Sequence, residues 1–281
     1  MNTTKERILL IDCKDRKGLI YKITEVLYRH DLNVISNQEH VDPVSQHFFM
    51  RSVCEETGNL DQVTKELKEA LPSDAHIRLA PNKKRSVVVM ATKEPHCLGE
   101  LLLKNAYNVF PARISAVISN HDYLEPLVSS FDLPYHHISH ESKTRREHED
   151  EILEVMKQYE PEYIVLAKYM RIFTPEFIKA YPDRIINIHH SFLPAFVGAS
   201  PYKQAFNRGV KIIGATAHFV TDDLDEGQII AQDVIPVNHT FTSRDMANAG
   251  RDVEKIVLSK ALKMVLEEKV FIFQNRTIIF S

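Results

Sequence analysis

The spacing of apolar positions along the chain changes repeatedly, and each change marks a predicted element. RILLID (7–12) carries an apolar run that reads as a strand. GLIYKITEVLYRHD (18–31) then sets Leu19, Ile23, Val26 and Leu27 at helical spacing. NVISNQEHVD (33–42) and QHFFMRSVCE (46–55) read as strands about the turn signal Asp42-Pro43. LDQVTKELKEAL (60–71), entered from Gly58-Asn59, is a second helix, and AHIRLA (75–80) is a strand. The order βαββαβ is the ferredoxin-like split pattern. PNKKR (81–85) interrupts it, so residues 1–82 are expected to form one domain and residues 83–281 another.

The second block alternates differently. RSVVVMAT (85–92) is a β-branched run suited to a strand covered on both faces. Strands ISAVIS (114–119), YHHIS (135–139), EYIVLA (162–167) and RIINI (184–188) alternate with helical segments. Those segments are LGELLLKN (98–105), YLEPLVSSF (123–131), a charged stretch at 145–159 and TPEFIKAY (174–181). This alternation implies right-handed crossovers and a doubly wound, mainly parallel, Rossmann-like α/β sheet. Strands ATAHFV (215–220) and QIIAQDVIPV (228–237), a helix over 243–268 and a hairpin in VFIFQNRTIIF complete the block. The charge run KTRREHEDE (143–151) is expected to be a solvated helix face.

Composition narrows the function classes. The 281 residues are 44% hydrophobic and 26% charged, with a net charge of −3 from interspersed signs. That balance predicts neither a nucleic-acid nor a membrane partner. No run approaches the roughly 20 apolar residues of a membrane helix, and the first residues lack a signal-peptide cleavage pattern. Cys13, Cys54 and Cys97 are odd in number and free of CxxC spacing, against a disulfide scaffold or zinc site. The expected location is the cytoplasm.

Several chemistries are missing from the sequence. The eight glycines never form GxG, and neither GKT nor GKS occurs, so the phosphate cradle of NAD or ATP proteins is absent. There is no HExxH and no GxSxG, which leaves Ser191 as a loop hydroxyl satisfying nearby backbone. His189 and His190 are adjacent, and adjacent strand residues face opposite ways. With His218 they make a poor metal set, so no metal and no resident cofactor is expected.

NIHHSFLP (187–194) is the stretch that points to chemistry. Ligands of open α/β sheets sit beyond the carboxyl ends of the strands, and Asn187 and His189, two apart, point the same way there. AHFVTDDLDEG (217–227) follows a later strand and gathers Asp222, Asp223 and Asp225 before Gly227. An amide, an imidazole and a carboxylate suit attack on a carbonyl carbon. The amide donates to the oxyanion, the imidazole moves a proton, and the carboxylate orients the imidazole or a water. The same residues also suit a strand-end cap, a buried satisfied histidine and a turn former, and spacing alone leaves both readings open.

NIHHSFLPAFVGASPYKQAFNRGVKIIGATAHFVTDDLDEGQIIAQDV (187–234) resembles the signature of the formyltetrahydrofolate-dependent formyl transferases and hydrolases. Within that group HHSFLPAF (189–196), GASPYKQAFNRGVKIIGATAH (198–218) and HCLGELL (96–102) are similar to the deformylases. DRKGLIYKITEVLYRHDLNVI (15–35) resembles the ACT domain that those enzymes carry. The resemblance implies hydrolysis of 10-formyltetrahydrofolate to tetrahydrofolate and formate, supplying formate for purine synthesis. It maps the catalytic residues onto Asn187, His189 and Asp225, the folate-cradling loop onto Met170, Arg171 and Ile172, and a supporting histidine onto His218. The family pattern LDEGPII is LDEGQII here, so Gln228 bears on loop rigidity.

The glycinamide-ribonucleotide transformylases resemble the second block only. They carry a glycine- and serine-containing phosphate loop where this chain has EPHCLGELL, which favours water over an amine acceptor. A folate-dependent formyltransferase and a catalytically silent amino-acid sensor stand as the alternatives. By analogy with ACT domains a homo-oligomer, dimer or tetramer, is expected, with an amino-acid effector near Asp15, Gly18 and Asn33. The block equally suits a dimerisation device alone.

Overall fold

A computed structural model of the chain describes residues 6–55, 59–196, 198 and 200–281. Gly58, part of the expected entry to the second helix, and Val197 and Ala199, within the signature stretch, lie outside the described residues. The chain divides into two units, Met1–Lys83 with Phe280–Ser281, and Lys84–Ile279.

The first unit runs β1 (Glu6–Lys14), α1 (Leu19–Arg29), β2 (Val34–Asp42), β3 (His47–Glu55), α2 (Leu60–Ala70) and β4 (His76–Pro81). Its four-stranded sheet has the order β2-β3-β1-β4 with antiparallel pairing throughout, the ferredoxin-like arrangement. The helical spacing of Leu19, Ile23, Val26 and Leu27 turns all four into one core with Leu9, Ile11 and Met50 from the sheet. Asn59 starts α2 by accepting from the backbone N–H of Asp61 (3.1 Å) and Gln62 (3.3 Å), which satisfies donors the helix leaves free. The terminal segment belongs here because Gln38 Nε2 donates to the Ser281 carbonyl at 2.8 Å.

The second unit begins with β5 (Arg85–Ala91), α3 (Pro95–Ala106), β6 (Ala112–Ser119), α4 (Glu125–Ser129), β7 (Tyr135–His137) and α5 (Arg145–Lys157). It continues through β8 (Tyr163–Leu166), α6 (Pro175–Ala180), β9 (Ile185–His189), α7 (Pro201–Arg208) and β10 (Ile212–Phe219). It ends with β11 (Ile229–Pro236), α8 (Ser243–Leu266) and the hairpin β12 (Val270–Phe273) and β13 (Arg276–Ile279). The seven-stranded sheet has the order β11-β10-β9-β8-β5-β6-β7. Pairing is parallel from β9 to β7, and β10 and β11 add antiparallel at one side.

Strand β5 explains the two layers. Val87, Val89 and Ala91 face a core with Leu98 and Leu101 of α3 and Val257 and Leu258 of α8, while Val88 and Met90 face Ile152, Met156 and Phe177 on the other side. Period-two alternation of wholly apolar residues thus buries the central strand on both faces. Because the sheet grows outward from β5 in both directions, its carboxyl end with that of β8 forms the crevice where doubly wound sheets take ligands.

Four expectations need correction. The charge run is not wholly solvated: His148 and Glu149 are 2% and 4% exposed. They fall on the inner face of α5 with Ile152 and Met156, where His148 Nε2 contacts the Ile138 carbonyl at 2.9 Å. Glu149 accepts from the backbone N–H and hydroxyl of Thr174, the residue that caps α6. The helix expected over 123–131 shortens to α4, since residues 122–125 close a turn through Glu125 N–H to the Asp122 carbonyl at 2.9 Å. Strand β10 begins at Ile212 rather than 215 because Gly214 continues it; any Cβ there would meet the Asp233 carbonyl oxygen of β11 at 2.4 Å. Helix α7 was not anticipated, although Pro201 in its first turn and Gly209 in the left-handed region (φ 70°) are sequence-level start and stop signals.

Candidate active site

Strand β9 commits Ile185 and Ile186 to the two cores and then emerges at Asn187. Strand β10 runs antiparallel to it, so His218 stands directly opposite Asn187. Their side chains meet, with Asn187 Nδ2 3.2 Å from His218 Nε2. On the other edge of β10 the register with β11 shifts between Ala217 and His218, a bulge of the kind that re-aims side chains beside functional sites.

The loop between β10 and β11 returns the carboxylate. Asp225 sits in the left-handed region (φ 58°), a conformation aspartate tolerates better than most residues. Its Oδ1 lies 3.2 Å from His189 Nδ1 and 3.7 Å from His218 Nε2. Asn187, His189, His218 and Asp225 therefore converge, although they come from two strands and a loop. They share one cavity of about 600 Å³, within the usual size of small-molecule sites.

The electrostatics of the group follow from burial and pairing. Burial alone would raise the Asp225 carboxyl, but the hydrogen bond and charge of His189, then His218 and His190, outweigh it and hold it below the ordinary aspartate value. Burial lowers His218 despite the opposing pull of its bond to the Phe219 carbonyl and of Asp225. His189 Nε2 is buried without a hydrogen-bond partner while the ring lines the cavity. One imidazole nitrogen is thus tied to a carboxylate and the other is free for a reacting group.

The cradle residues come from the segment between β8 and α6. Met170, Arg171 and Ile172 line the cavity, with Met170 60% and Ile172 52% exposed, so two large apolar side chains stand open beside it. The segment is anchored at both ends. The Met170 N–H donates to Thr92 Oγ1 (3.0 Å), whose hydroxyl donates to Asn120 Oδ1 (3.0 Å). Beneath it, Tyr169 stacks on Phe173 (5.5 Å) and Phe173 on Phe177 (4.1 Å).

Residues 85–262 match the formyl transferase family and residues 7–72 the ACT domain. A Haemophilus influenzae protein named formyltetrahydrofolate deformylase is 51% identical over 98% of this chain and 99% of its own length. This chain belongs to the formyltetrahydrofolate deformylase family. The Escherichia coli deformylase is 52% identical over 99% of this chain and all of its own length. The crystal structure of a deformylase from Pseudomonas syringae pv. tomato superposes with a TM-score of 0.95 at 37% identity, covering 100% of this chain and 96% of that one.

Other residues in and behind this cavity have no counterpart among the sequence expectations. His190 follows the last residue of β9, so strand alternation does not govern it. Its ring lies 5.2 Å from that of His189 and lines the same cavity, not the opposite face. Lys168, Tyr202 and Glu254 carry no motif of their own. Yet Glu254, 1% exposed, receives Lys168 Nζ (3.1 Å), the Tyr202 hydroxyl (2.6 Å) and His96 Nε2 (2.8 Å). The available signal was Gly250, where any Cβ would overlap Tyr202 and keep its hydroxyl from Glu254 one turn on.

Among the described residues His96, Cys97 and Glu254 bring three metal-type ligand atoms within 4.8 Å of one another. The Lys168 ammonium already supplies that carboxylate with its cation. Ser191 behaves as a loop hydroxyl, donating to the Ala195 carbonyl at 2.7 Å.

In the first unit, Gly18 precedes α1 in the left-handed region (φ 89°), and the Asp15 N–H donates to the Gln46 carbonyl at 2.8 Å. Asn33 lines a hollow of about 310 Å³ with Thr24, Leu27, Tyr28 and Asp31. Neither Asp15 nor Gly18 borders that hollow. Among the described residues no helix is long and apolar enough to cross a membrane.

Proposed function

We propose that the chain hydrolyses 10-formyltetrahydrofolate to tetrahydrofolate and formate, with the formyl carbon held between Asn187, His189 and Asp225. The observation that carries this reading is the meeting of those three groups in one cavity, in a chain related to deformylases over 98% of its length. Met170, Arg171 and Ile172 hold the folate, the exposed Met170 and Ile172 offering apolar surface to its flat ring system.

Asp225 accepts Nδ1–H of His189 and so fixes which imidazole nitrogen faces the substrate. Its other oxygen aligns the water that attacks the formyl carbon. The water passes a proton to His189 Nε2 as it attacks, and the developing oxyanion is met by the Asn187 amide and by the Nε2–H so formed. Collapse breaks the bond from carbon to N10, the proton taken from the water passes to N10, and formate is released. Attack, charge and proton are all handled by these side chains, so the reaction needs no resident metal or cofactor.

The finer biology is part of the same proposal. Three buried free thiols suit the cytoplasm, where released formate feeds purine synthesis. The edge strands β2 and β4 suit pairing into a homo-oligomer, and the ACT match suits an amino-acid effector near Asp15, Gly18 and Asn33. The test is turnover of 10-formyltetrahydrofolate without any acceptor. Formate release supports hydrolysis, release only with an amine nucleotide supports a transferase, and binding without turnover supports a sensor. Repeating the assay with an amino-acid panel tests the effector.

A further inference from the structure

Lys168, in the lining of the reaction cavity, belongs to a polar cluster behind it that the hydrolytic steps do not use. Lys168, left-handed at φ 62° and 8% exposed, lines the cavity and reaches Glu254 of α8 at 3.1 Å. Tyr202 of α7 and His96 of α3 bind the same carboxylate at 2.6 Å and 2.8 Å. The Tyr202 ring lies 6.2 Å from that of His190, itself 5.2 Å from His189, so the cluster begins one ring behind the reacting imidazole.

Its place in the fold gives the cluster a meaning. The crevice beyond β5 is where a doubly wound sheet has room for a ligand. Here the first turn of α3 inserts His96 and the buried Cys97, and α8 inserts Glu254. The charges close on themselves. Lys168 is matched by Glu254, and Arg251 by Glu94 at 3.1 Å. Burial opposes the Glu254 charge, but His96, Lys168 and Tyr202 hold the carboxyl down to about 2, so the acid stays ionised.

We propose that the Lys168–Glu254–Tyr202–His96 cluster makes water the acceptor by occupying the ground on which a larger amine acceptor would stand. It also pairs away the cations that a phosphate or carboxylate on such an acceptor would need. The proposal rests on the hydrolytic reading and adds what decides between its two nucleophiles. Transfer to an amine would break the same bond to N10, form a new carbon–nitrogen bond and pass one amine proton to N10, so no further reagent separates the two reactions. Space and charge are the only gates.

The test follows a ¹³C-formyl label into formate or into formylated amine, with hydroxylamine, glycinamide and O-phosphoethanolamine as acceptors of rising size and charge. The wild type is expected to formylate hydroxylamine best, glycinamide barely, and O-phosphoethanolamine not at all. Lys168→Ala with Glu254→Gln, which opens space yet keeps a hydrogen-bonding side chain for Tyr202 and His96, is expected to raise the glycinamide share of product about tenfold. Lys168→Ala alone carries the same expectation if the double variant does not fold. Wild-type protein that formylates O-phosphoethanolamine as readily as it hydrolyses overturns the proposal without any variant. So does a folded variant with the wild-type product ratio. Absence of formate from the wild type would remove the hydrolytic reading itself, whereas intact hydrolysis with an unchanged ratio removes only the exclusion.

Discussion

Asn187 and His218 oppose each other across β9 and β10, the amide nitrogen of one 3.2 Å from Nε2 of the other. His218 Nδ1 donates to the Phe219 carbonyl at 2.7 Å, so Nε2 carries the lone pair and receives the amide N–H. The orientation of the Asn187 side chain is thereby fixed, with its second N–H left for the cavity. Burial lowers the His218 pKa and so favours the neutral ring that preserves this polarity. A charged His218 would offer a second donor and turn the amide round.

Replacing His218 by Phe removes the acceptor and frees the amide. Losing one positioning hydrogen bond of about 1–3 kcal/mol predicts a kcat lower by roughly 10- to 100-fold, with KM little changed. Asn187→Ala is expected to lose about 3 kcal/mol of transition-state stabilisation with folate binding largely retained. Because the two residues act as one unit, the double variant should be no worse than Asn187→Ala. Steady-state kinetics of the four proteins decide the matter, and multiplicative losses would remove His218 from the unit.

Asp225→Asn keeps volume and removes charge. The amide no longer dictates which nitrogen of His189 carries the proton, and turnover is expected to fall by about 10²- to 10⁴-fold. Circular dichroism should be unchanged. Wild-type turnover in the folded variant would take the carboxylate out of the mechanism.

Buried and partly buried histidines contribute to the loss of stability in acid. Burial first, then the neighbouring Lys168 charge, lowers His190 from 6.5 to about 4. Between those values the unfolded chain binds the proton and the folded chain does not, so stability falls as pH drops from 6.5 towards 4 and this contribution levels off below. Burial lowers His121, His136, His148 and His218 as well, adding in the same direction. The melting temperature should therefore decline on acidification through this range, and His190→Gln should flatten the curve. Parallel curves for variant and wild type would show that His190 does not bear on acid stability.

Much of this was legible from pattern alone, and the gaps have physical causes. The two-faced burial of β5 follows from RSVVVMAT, and the inner stripe of α1 from four apolar positions at helical spacing. The partnership of His189 with Asp225 crosses a turn of unknown path, so spacing left it open until the left-handed Asp225 closed the loop. Glu149 and Glu254 look like solvated charges in sequence. Each is buried because its partners, Thr174 in one case and Lys168, Tyr202 and His96 in the other, arrive from distant elements. Local periodicity has no access to such pairings.

Gly227 supplies the last prediction. A Cβ at this position would lie 1.7 Å from the Phe219 carbonyl oxygen and 2.7 Å from its carbon, with His218 Nδ1 at 3.4 Å. That carbonyl is the group that holds His218, and the Phe219 N–H in turn donates to the Gln228 carbonyl at 3.0 Å. Gly227→Ala must therefore push the end of β10 away from the loop that carries Asp225, moving both supports of the imidazole and amide together. Overpacking of this kind costs about 1–3 kcal/mol. Turnover should fall further than that loss of stability implies, because displacement of about 1 Å at a reacting centre costs on the order of 100-fold. Gln228→Ala is the control: its side chain donates to the Gln274 carbonyl at 3.0 Å, so turnover should stay within about twofold. Urea unfolding and formate release, measured on both variants, separate the two costs; a Gly227→Ala protein with wild-type stability and turnover would mean that the loop is free to move without disturbing His218.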